Sequence, residues 1–455
     1  MTTSPSARTR GDVVPLTFQQ QWLWGAIPDK SRSRLAMVLA RRLYGPLRVD
    51  FLKESLDTII RRHGALRTRI VTIGGHPRQH VDEIDECDLE TASIAGATDD
   101  VESEARRLAA DFVYEPFDLT VGPLFKVKLL RLSDHDHVLA LAMDHIVSDV
   151  VSMQIVLREL RILYVELAQG RAPSLPKVRL QYGDYALWQQ RTSADWGKSH
   201  IAYWQERLSG ATRIRFPVDA GITGIKPFSK VPMQVGLGKQ VSAGLRELAR
   251  NKKTTPARVV LALYVALLSR ICNTRDLVVP FNTTGRHLPG YEDVIGYFPH
   301  ILYLRIGLAG NDSFLDVLLR VDMELNSALR HDDLGQMINL VPELLEGAWF
   351  QWDPWVSYAD DEAARRNSAP GELDAVSAKS FALPQQGLDA DAIGIRIDLL
   401  FAFRDIGEEI VGKGNYRADL FKASTMDMFC RNLRRFAQQL LVDPTAPIAI
   451  VPICV

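Results

Sequence analysis

Residues His137 to Val150 read HVLALAMDHIVSDV, and a boundary inside this stretch sets the fold. From His137 to Met143 the run is almost continuously apolar, the pattern of a central strand covered on both faces. It stops at Asp144-His145. Beyond Val150 the apolar period changes: Val156, Leu160, Leu163, Tyr164 and Leu167 share one helical face, and Gly170 stands just past its end. Strand, short polar loop, amphipathic helix is the grammar of an α/β layer unit, and loops so placed often carry chemistry.

The same grammar extends in both directions. Toward the N-terminus, Leu16 to Trp24 (LTFQQQWLW) predicts a short packed helix, Leu35 to Tyr44 a strand, and Leu52, Leu56, Ile59 and Ile60 a helix with Asp50 as N-cap that ends near His63-Gly64. Leu124 to Arg131 alternates and predicts a half-open strand. Toward the C-terminus, proline-bearing Arg171 to Lys177 (RAPSLPK) marks a boundary, which predicts two domains, residues 1–175 and 176–455. The second domain opens with two aromatic-rich helices, Tyr182 to Gln190 and Ala202 to Leu208. Thr255 then caps a helix with Pro256 at its first position, a strand covers Asp276 to Asn282, another Phe298 to Ile306, and a long helix runs from Ser313 to about Arg330.

Composition narrows the function. The 455 residues are 47% hydrophobic and 24% charged, enough for large cores, and 54 Lys+Arg against 55 Asp+Glu give a formal charge of −1. That balance offers no bulk attraction to nucleic acid or to an anionic membrane, so neither is expected as a partner. The longest apolar run, Arg258 to Leu268, is about half of the roughly 20 residues that span a bilayer. The polar start, Met1 to Arg10, has no apolar core of a secretion signal and is expected to fray. Cys87, Cys272, Cys430 and Cys454 are widely spaced, with neither a zinc pattern nor a disulfide framework, and fit a reducing compartment such as the cytoplasm.

His145 is the strongest candidate for chemistry. It lies where the apolar strand stops, and its imidazole titrates near neutrality, suited to taking a proton from an amine or alcohol. Asp149, four residues on, can cap the following helix or hold a cation across the loop. Taken alone the pentapeptide reads first as a strand-end histidine and an N-cap aspartate. The aromatic cluster Trp349 to Tyr358 (WFQWDPWVSY) fits either packed core or a substrate channel, with Ser357 and Tyr358 as polar lining groups. Asp360 to Asp391 is polar and irregular, the composition of a bridging loop. The charge-rich stretches Glu102 to Arg107 and Arg246 to Lys253 read as solvated helix faces, whose basic residues could meet an acidic partner.

Six local patterns in fixed order resemble the condensation domains of nonribosomal peptide synthesis. Leu16 to Trp24 is similar to the family's first motif, and Arg62-His63-Gly64-Ala65-Leu66-Arg67-Thr68 to its second, R-H-x-x-L-R-T. Met143 to Val150 resembles the active-site motif H-H-x-x-x-D-G, and Tyr182 to Trp188 the fourth, Y-x-D-[FY]-A-x-W. Gly285-Arg286 with Ile295-Gly296-Tyr297-Phe298 resembles the fifth, and Asn415-Tyr416 to Leu420-Phe421 the last.

The resemblance implies an α/β (α+β) fold of two chloramphenicol-acetyltransferase-like lobes, a V-shaped pseudo-dimer with a central tunnel, the N-terminal lobe carrying the His-x-x-x-Asp motif. It implies that His145 contacts the nucleophile, that Asp149 is mainly structural, and that Arg286 of the fifth motif is its salt-bridge partner. Without the family, Arg286 reads equally as a solvated loop arginine. Two departures stand in the active-site loop: Asp144 replaces the first histidine, and Val150 replaces the glycine. Neighbouring side chains on an extended backbone diverge, so Asp144 is expected to point away from His145. Val150 resists the positive φ and the close approach that glycine permits.

The implied activity is that of a free-standing acyltransferase. It would move an acyl group from the phosphopantetheine thioester of an acyl or peptidyl carrier protein to an amine or alcohol, in antibiotic-type biosynthesis, with no metal and no bound cofactor. The acceptor can be a small molecule or a carrier-bound group, and an acyl-CoA-dependent variant uses the same pantetheine arm. A catalytically silent docking module that recruits a partner enzyme is the rival, favoured by Asp144 and Val150.

Overall fold

The computed structural model describes residues 13–94, 100–225, 227–332, 344, 347–352, 376–384 and 397–453, with the side chains of 194–196 excepted. The chain forms two compact units. The first holds residues 1–191, 286–298 and 355–393, and the second holds 192–285, 299–354 and 394–455. The division is therefore not one cut at residue 175: two later segments return to the first unit, a pattern that no local composition change announces.

In the first unit, strands β1 (Val13–Pro15), β3 (Thr68–Ile73) and β4 (His76–Val81) make a small sheet in the order β1-β4-β3. The main sheet runs β12-β2-β7-β6-β5, from β2 (Ala36–Tyr44), β5 (Leu89–Ser93), β6 (Phe125–Ser133), β7 (Asp136–Asp144) and β12 (Ser377–Ser380). β7 is the middle strand, antiparallel to both β2 and β6. Every residue from His137 to Asp144 is buried, as the unbroken apolar run requires. Helices α1 (Phe18–Ala26), α2 (Val49–Arg62), α3 (Val101–Tyr114) and α4 (Val150–Ala168) complete the unit. Leu52, Leu56, Ile59, Ile60, Val156, Leu160 and Leu163 are all buried in its core. Thr17 caps α1: its hydroxyl accepts the Gln20 amide while the Gln20 side chain accepts the Thr17 amide, a capping box.

Local expectations moved in three places, one being that β12 lies within the stretch Asp360 to Asp391 read as irregular. Asp50 lies inside the first turn of α2, bound to Arg48, the N-cap residue, at 2.6 Å; a carboxylate there still favours the positive helix end. The two aromatic helices are one, α5 (Tyr182–Leu208), which starts in the first unit and continues into the second. The stretch joining them has no proline, and the single Gly197 is tolerated inside a helix.

The second unit carries a six-stranded sheet ordered β10-β9-β11-β13-β14-β8. Its strands are β8 (Lys230–Gly236), β9 (Asp276–Thr283), β10 (His300–Gly307), β11 (Gly347–Trp352), β13 (Ile397–Asp405) and β14 (Ile410–Arg417). Helices α6 (Lys239–Asn251), α7 (Pro256–Ile271), α8 (Phe314–Leu329) and α9 (Ala423–Val442) accompany them. α7 is buried from Val259 to Ser269 and starts at the Thr255 cap with Pro256 behind it. Trp349 and Phe350 of the aromatic cluster are buried in β11; Ser357 and Tyr358 lie outside the described residues, as do the tail and Cys454. Among the described residues no single helix is long and apolar enough to cross a membrane.

Candidate active site

β7 ends at Asp144 and the backbone turns at once. His145–Val147 form one 3-10 turn, and α4 begins at Val150 with Asp149 as its N-cap. The loop is bound along most of its length. Asp144 Oδ1 accepts the Ile146 amide at 2.9 Å, the Ser148 hydroxyl donates to the Asp144 carbonyl at 2.8 Å, and the His145 amide donates to the Leu35 carbonyl at 2.6 Å. Gln20 Nε2 of α1 donates to the Ile146 carbonyl at 2.9 Å. The first motif therefore acts on the third through a side-chain amide.

The His145 ring is oriented by backbone, not by a carboxylate. Its Nδ1 lies 2.7 Å from the Ser148 carbonyl oxygen. A carbonyl only accepts, so Nδ1 carries the proton and Nε2 keeps the lone pair. Burial pushes the imidazole below its ordinary pKa, with the Ser148 carbonyl and Asp149 opposing the shift. Burial thus favours the neutral ring, and no described residue forms a hydrogen bond with its other nitrogen. The Tyr297 ring stands beside it, centroids 4.8 Å apart and planes tilted by 58°.

Asp149 is fully engaged elsewhere. Its Oδ1 takes the Ser152 amide at 2.7 Å, the Ser152 hydroxyl at 2.8 Å and Arg286 Nη2 at 3.0 Å; its Oδ2 takes Arg286 Nη1 and the Phe298 amide. Both charges are sealed, with 6% and 2% of the side chains exposed. Arg286 Nη2 also donates to the Val294 carbonyl at 3.0 Å, and its guanidinium lies 4.3 Å from the Phe298 ring centre. So the N-cap reading and the ion-pair reading of Asp149 hold together, and the aspartate has no lone pair left for a substrate proton.

Ser152 was not legible as a site residue, and Gly296 stood only as part of the fifth motif, with no role. The Ser152 hydroxyl accepts the Gly296 amide at 3.1 Å and lies 3.0 Å from the Gly296 carbonyl. The available signal was the spacing Asp149-x-x-Ser152, an N-cap with a polar residue at the third helical position. Gly296 has a steric reason: a Cβ there would sit 2.1 Å from Tyr182 Cδ2. Tyr182 of the fourth motif donates its hydroxyl proton to the Tyr297 carbonyl and in turn meets the Thr17 hydroxyl at 2.9 Å. The second motif lies behind this network, where Arg62 and His63 both bind Glu159 of α4, at 3.1 and 2.8 Å. Tyr416 of the last motif is buried in the second unit.

The two departures have distinct consequences. Asp144 spends its Oδ1 on the turn, leaves Oδ2 buried without a hydrogen bond among the described residues, and does not contact the imidazole's hydrogen-bonding nitrogen. Burial pushes it up to about 6, and the nearby Ser33 hydroxyl and Ile146 amide offset only part of that shift. Val150 is the first residue of α4 and lacks the positive φ found at only Phe228, Lys253 and Asn273 among described non-glycine residues. A β-branched residue thus fits the backbone here without strain, so the conformational objection to it falls away.

Among the described residues, no group of three or more His, Cys, Asp or Glu side chains could hold a metal ion. Cys87, Cys272 and Cys430 are free thiols, and burial pushes them up to about 12, 12 and 11, which suits packing rather than nucleophilic chemistry.

Comparison with known proteins places this geometry. A family model described as Condensation domain matches residues 10–453. The chain is 29% identical over 445 residues to phosphinothricin tripeptide synthetase PhsC of Streptomyces viridochromogenes, covering 97% of this chain and 40% of that protein. It is 28% identical over 459 residues to isonitrile lipopeptide synthase of Mycobacterium tuberculosis, covering 98% and 18%. The chain spans well under half the length of these relatives. Among solved structures, the X-domain from teicoplanin biosynthesis matches with a TM-score of 0.77 at 26% identity, over 99% of this chain and 100% of that one. A structure of that X-domain with OxyB matches at 0.76 and 25% identity, over 100% and 99%. The first condensation domain of the calcium-dependent antibiotic synthetase shares the fold, with a TM-score of 0.75 at 21% identity over 98% and 100%. These matches assign the α/β architecture to the chloramphenicol-acetyltransferase-like fold, and the chain belongs to the condensation-domain family.

Proposed function

We propose that this domain transfers an acyl group from a carrier-protein phosphopantetheine thioester to an amine or alcohol, forming an amide or ester in natural-product biosynthesis. The observation that carries this reading is the state of His145: Nδ1 is committed to the Ser148 carbonyl, Nε2 has no hydrogen-bond partner among the described residues, and the neighbouring Asp149 is occupied by Arg286. One base is prepared and its nearest competitor is removed.

In the proposed reaction the nucleophile's N–H or O–H proton passes to Nε2 as its nitrogen or oxygen attacks the thioester carbonyl. The tetrahedral intermediate then collapses, the C–S bond breaks, and the thiolate takes the proton back from the imidazolium. No metal or bound cofactor enters, because the thioester supplies the activated acyl group. Burial favours the neutral imidazole, the form that can take a proton. An acyl-CoA donor fits the same steps.

A second reading has one specific observation behind it: the likeness to the X-domain solved with OxyB. On that reading the domain recruits a partner protein and performs no transfer. His145→Ala separates the two when acyl loss from a loaded carrier protein is followed by intact mass with candidate amines and alcohols. Transfer that disappears in the variant supports the base; transfer that persists unchanged removes histidine catalysis.

A further inference from the structure

Among the described residues the imidazole of His145 has one aromatic neighbour, Tyr297, and the backbone around that neighbour is held at several points. Gly296, just before Tyr297, donates its amide to the Ser152 hydroxyl at 3.1 Å, and its carbonyl lies 3.0 Å from the same oxygen. The Tyr297 carbonyl accepts from Tyr182, and the Phe298 amide donates to Asp149 at 3.3 Å. Gly296 leaves no room for a side chain against Tyr182, which fixes the approach of this strip to the loop. Every one of these anchors lies in the first unit, alongside the 3-10 turn that carries His145.

The side chain so placed does not act as a second base. Burial, and next the Asp149 charge, push the Tyr297 phenol above its ordinary range, so it stays protonated. No described residue forms a hydrogen bond with its hydroxyl, so the ring's defined contact on this side is the imidazole. A single hydrogen bond from Nδ1 to Ser148 restrains a histidine ring but leaves rotation and tautomer exchange open; a rigid wall against the ring closes those alternatives.

We propose that Tyr297 is a positioning residue for His145: its ring holds the imidazole in the pose that keeps Nδ1 on the Ser148 carbonyl and leaves Nε2 free. The proposal rests on the base reading of His145 for its effect on rate, but its geometric content is independent of turnover.

The test uses the whole chain labelled with ¹⁵N-histidine, with the His145 signals assigned by their loss in His145→Ala. Wild type should show one neutral tautomer, proton on Nδ1. Tyr297→Leu should give averaged or doubled His145 signals, and Tyr297→Phe should restore the wild-type pattern. In acyl transfer, Leu should lower kcat roughly tenfold to a hundredfold with KM nearly unchanged, and Phe should stay within about twofold. If Leu does not fold, Tyr297→Met carries the same comparison. Aliphatic variants that keep the wild-type His145 tautomer signal overturn the proposal. If His145→Ala retains full transfer, the base reading fails and the tautomer comparison alone still decides the role of Tyr297.

Discussion

Replacing Asp144 with asparagine should stabilise the protein at neutral pH and leave it almost unchanged in acid. The carboxyl is fully buried, and burial moves it from an ordinary 3.8 to about 6. The native state therefore holds this proton more tightly than the unfolded chain does, and the carboxyl's contribution to stability is complete below about pH 4 and lost as pH rises through about 6. A shift of roughly two units at about 1.4 kcal/mol each corresponds to about 3 kcal/mol at pH 7. Asparagine keeps an oxygen for the Ile146 amide and is a good capping residue, so the turn survives while the buried charge is removed. The assay is denaturant unfolding of wild type and Asp144→Asn across pH 4 to 7.5, taking the difference between the two chains so that other titrations cancel. The gap should open between pH 4 and 6 and then level off. A gap that is independent of pH, or an asparagine variant less stable at pH 7, would refute the assignment of a strained buried carboxylate.

Two further substitutions examine the network beneath the loop. Arg286→Met leaves the Asp149 carboxylate sealed without its counter-charge, which should cost about 3–5 kcal/mol by denaturant unfolding; a loss under about 1 kcal/mol would contradict the ion pair. Gly296→Ala forces a methyl group into the Tyr182 ring and should cost at least about 1–3 kcal/mol, with the loss shrinking in a Tyr182→Ala background. Equal losses in both backgrounds would show that the clash is not with Tyr182.

The strand from His137 to Met143 was legible because both its faces are covered, and hydrophobicity alone then specifies a central position. Helices α4, α7 and α8 were legible from period and caps, including Ser313, whose hydroxyl accepts the Asp316 amide at 3.2 Å, and α2 from period alone. What stayed hidden is set by contacts between distant residues. The return of 286–298 and 376–384 to the first unit depends on Asp149 and Ser152 waiting for Arg286 and Gly296, and on β2 offering an open edge to β12. No neighbouring residue in sequence carries that information.

At the site, the resemblance placed His145, Asp149 and Arg286 and implied the Asp149–Arg286 pair, which the structure contains. The sequence left Asp149 with two possible partners, and the structure gives it both. It also left the orienter of His145 open, because the acceptor is the Ser148 carbonyl, a group every residue possesses and no motif can mark. Ser152 looked like an ordinary helix residue, yet its hydroxyl joins Asp149, Arg286 and Gly296.

The most direct measurement is acyl transfer by His145→Ala, read as intact mass of a carrier protein loaded with a thioester and offered amine and alcohol acceptors. The account predicts that acceptor-dependent acyl loss seen with wild type falls to the uncatalysed rate, while unfolding stability is kept. Transfer at the wild-type rate in that variant would contradict it.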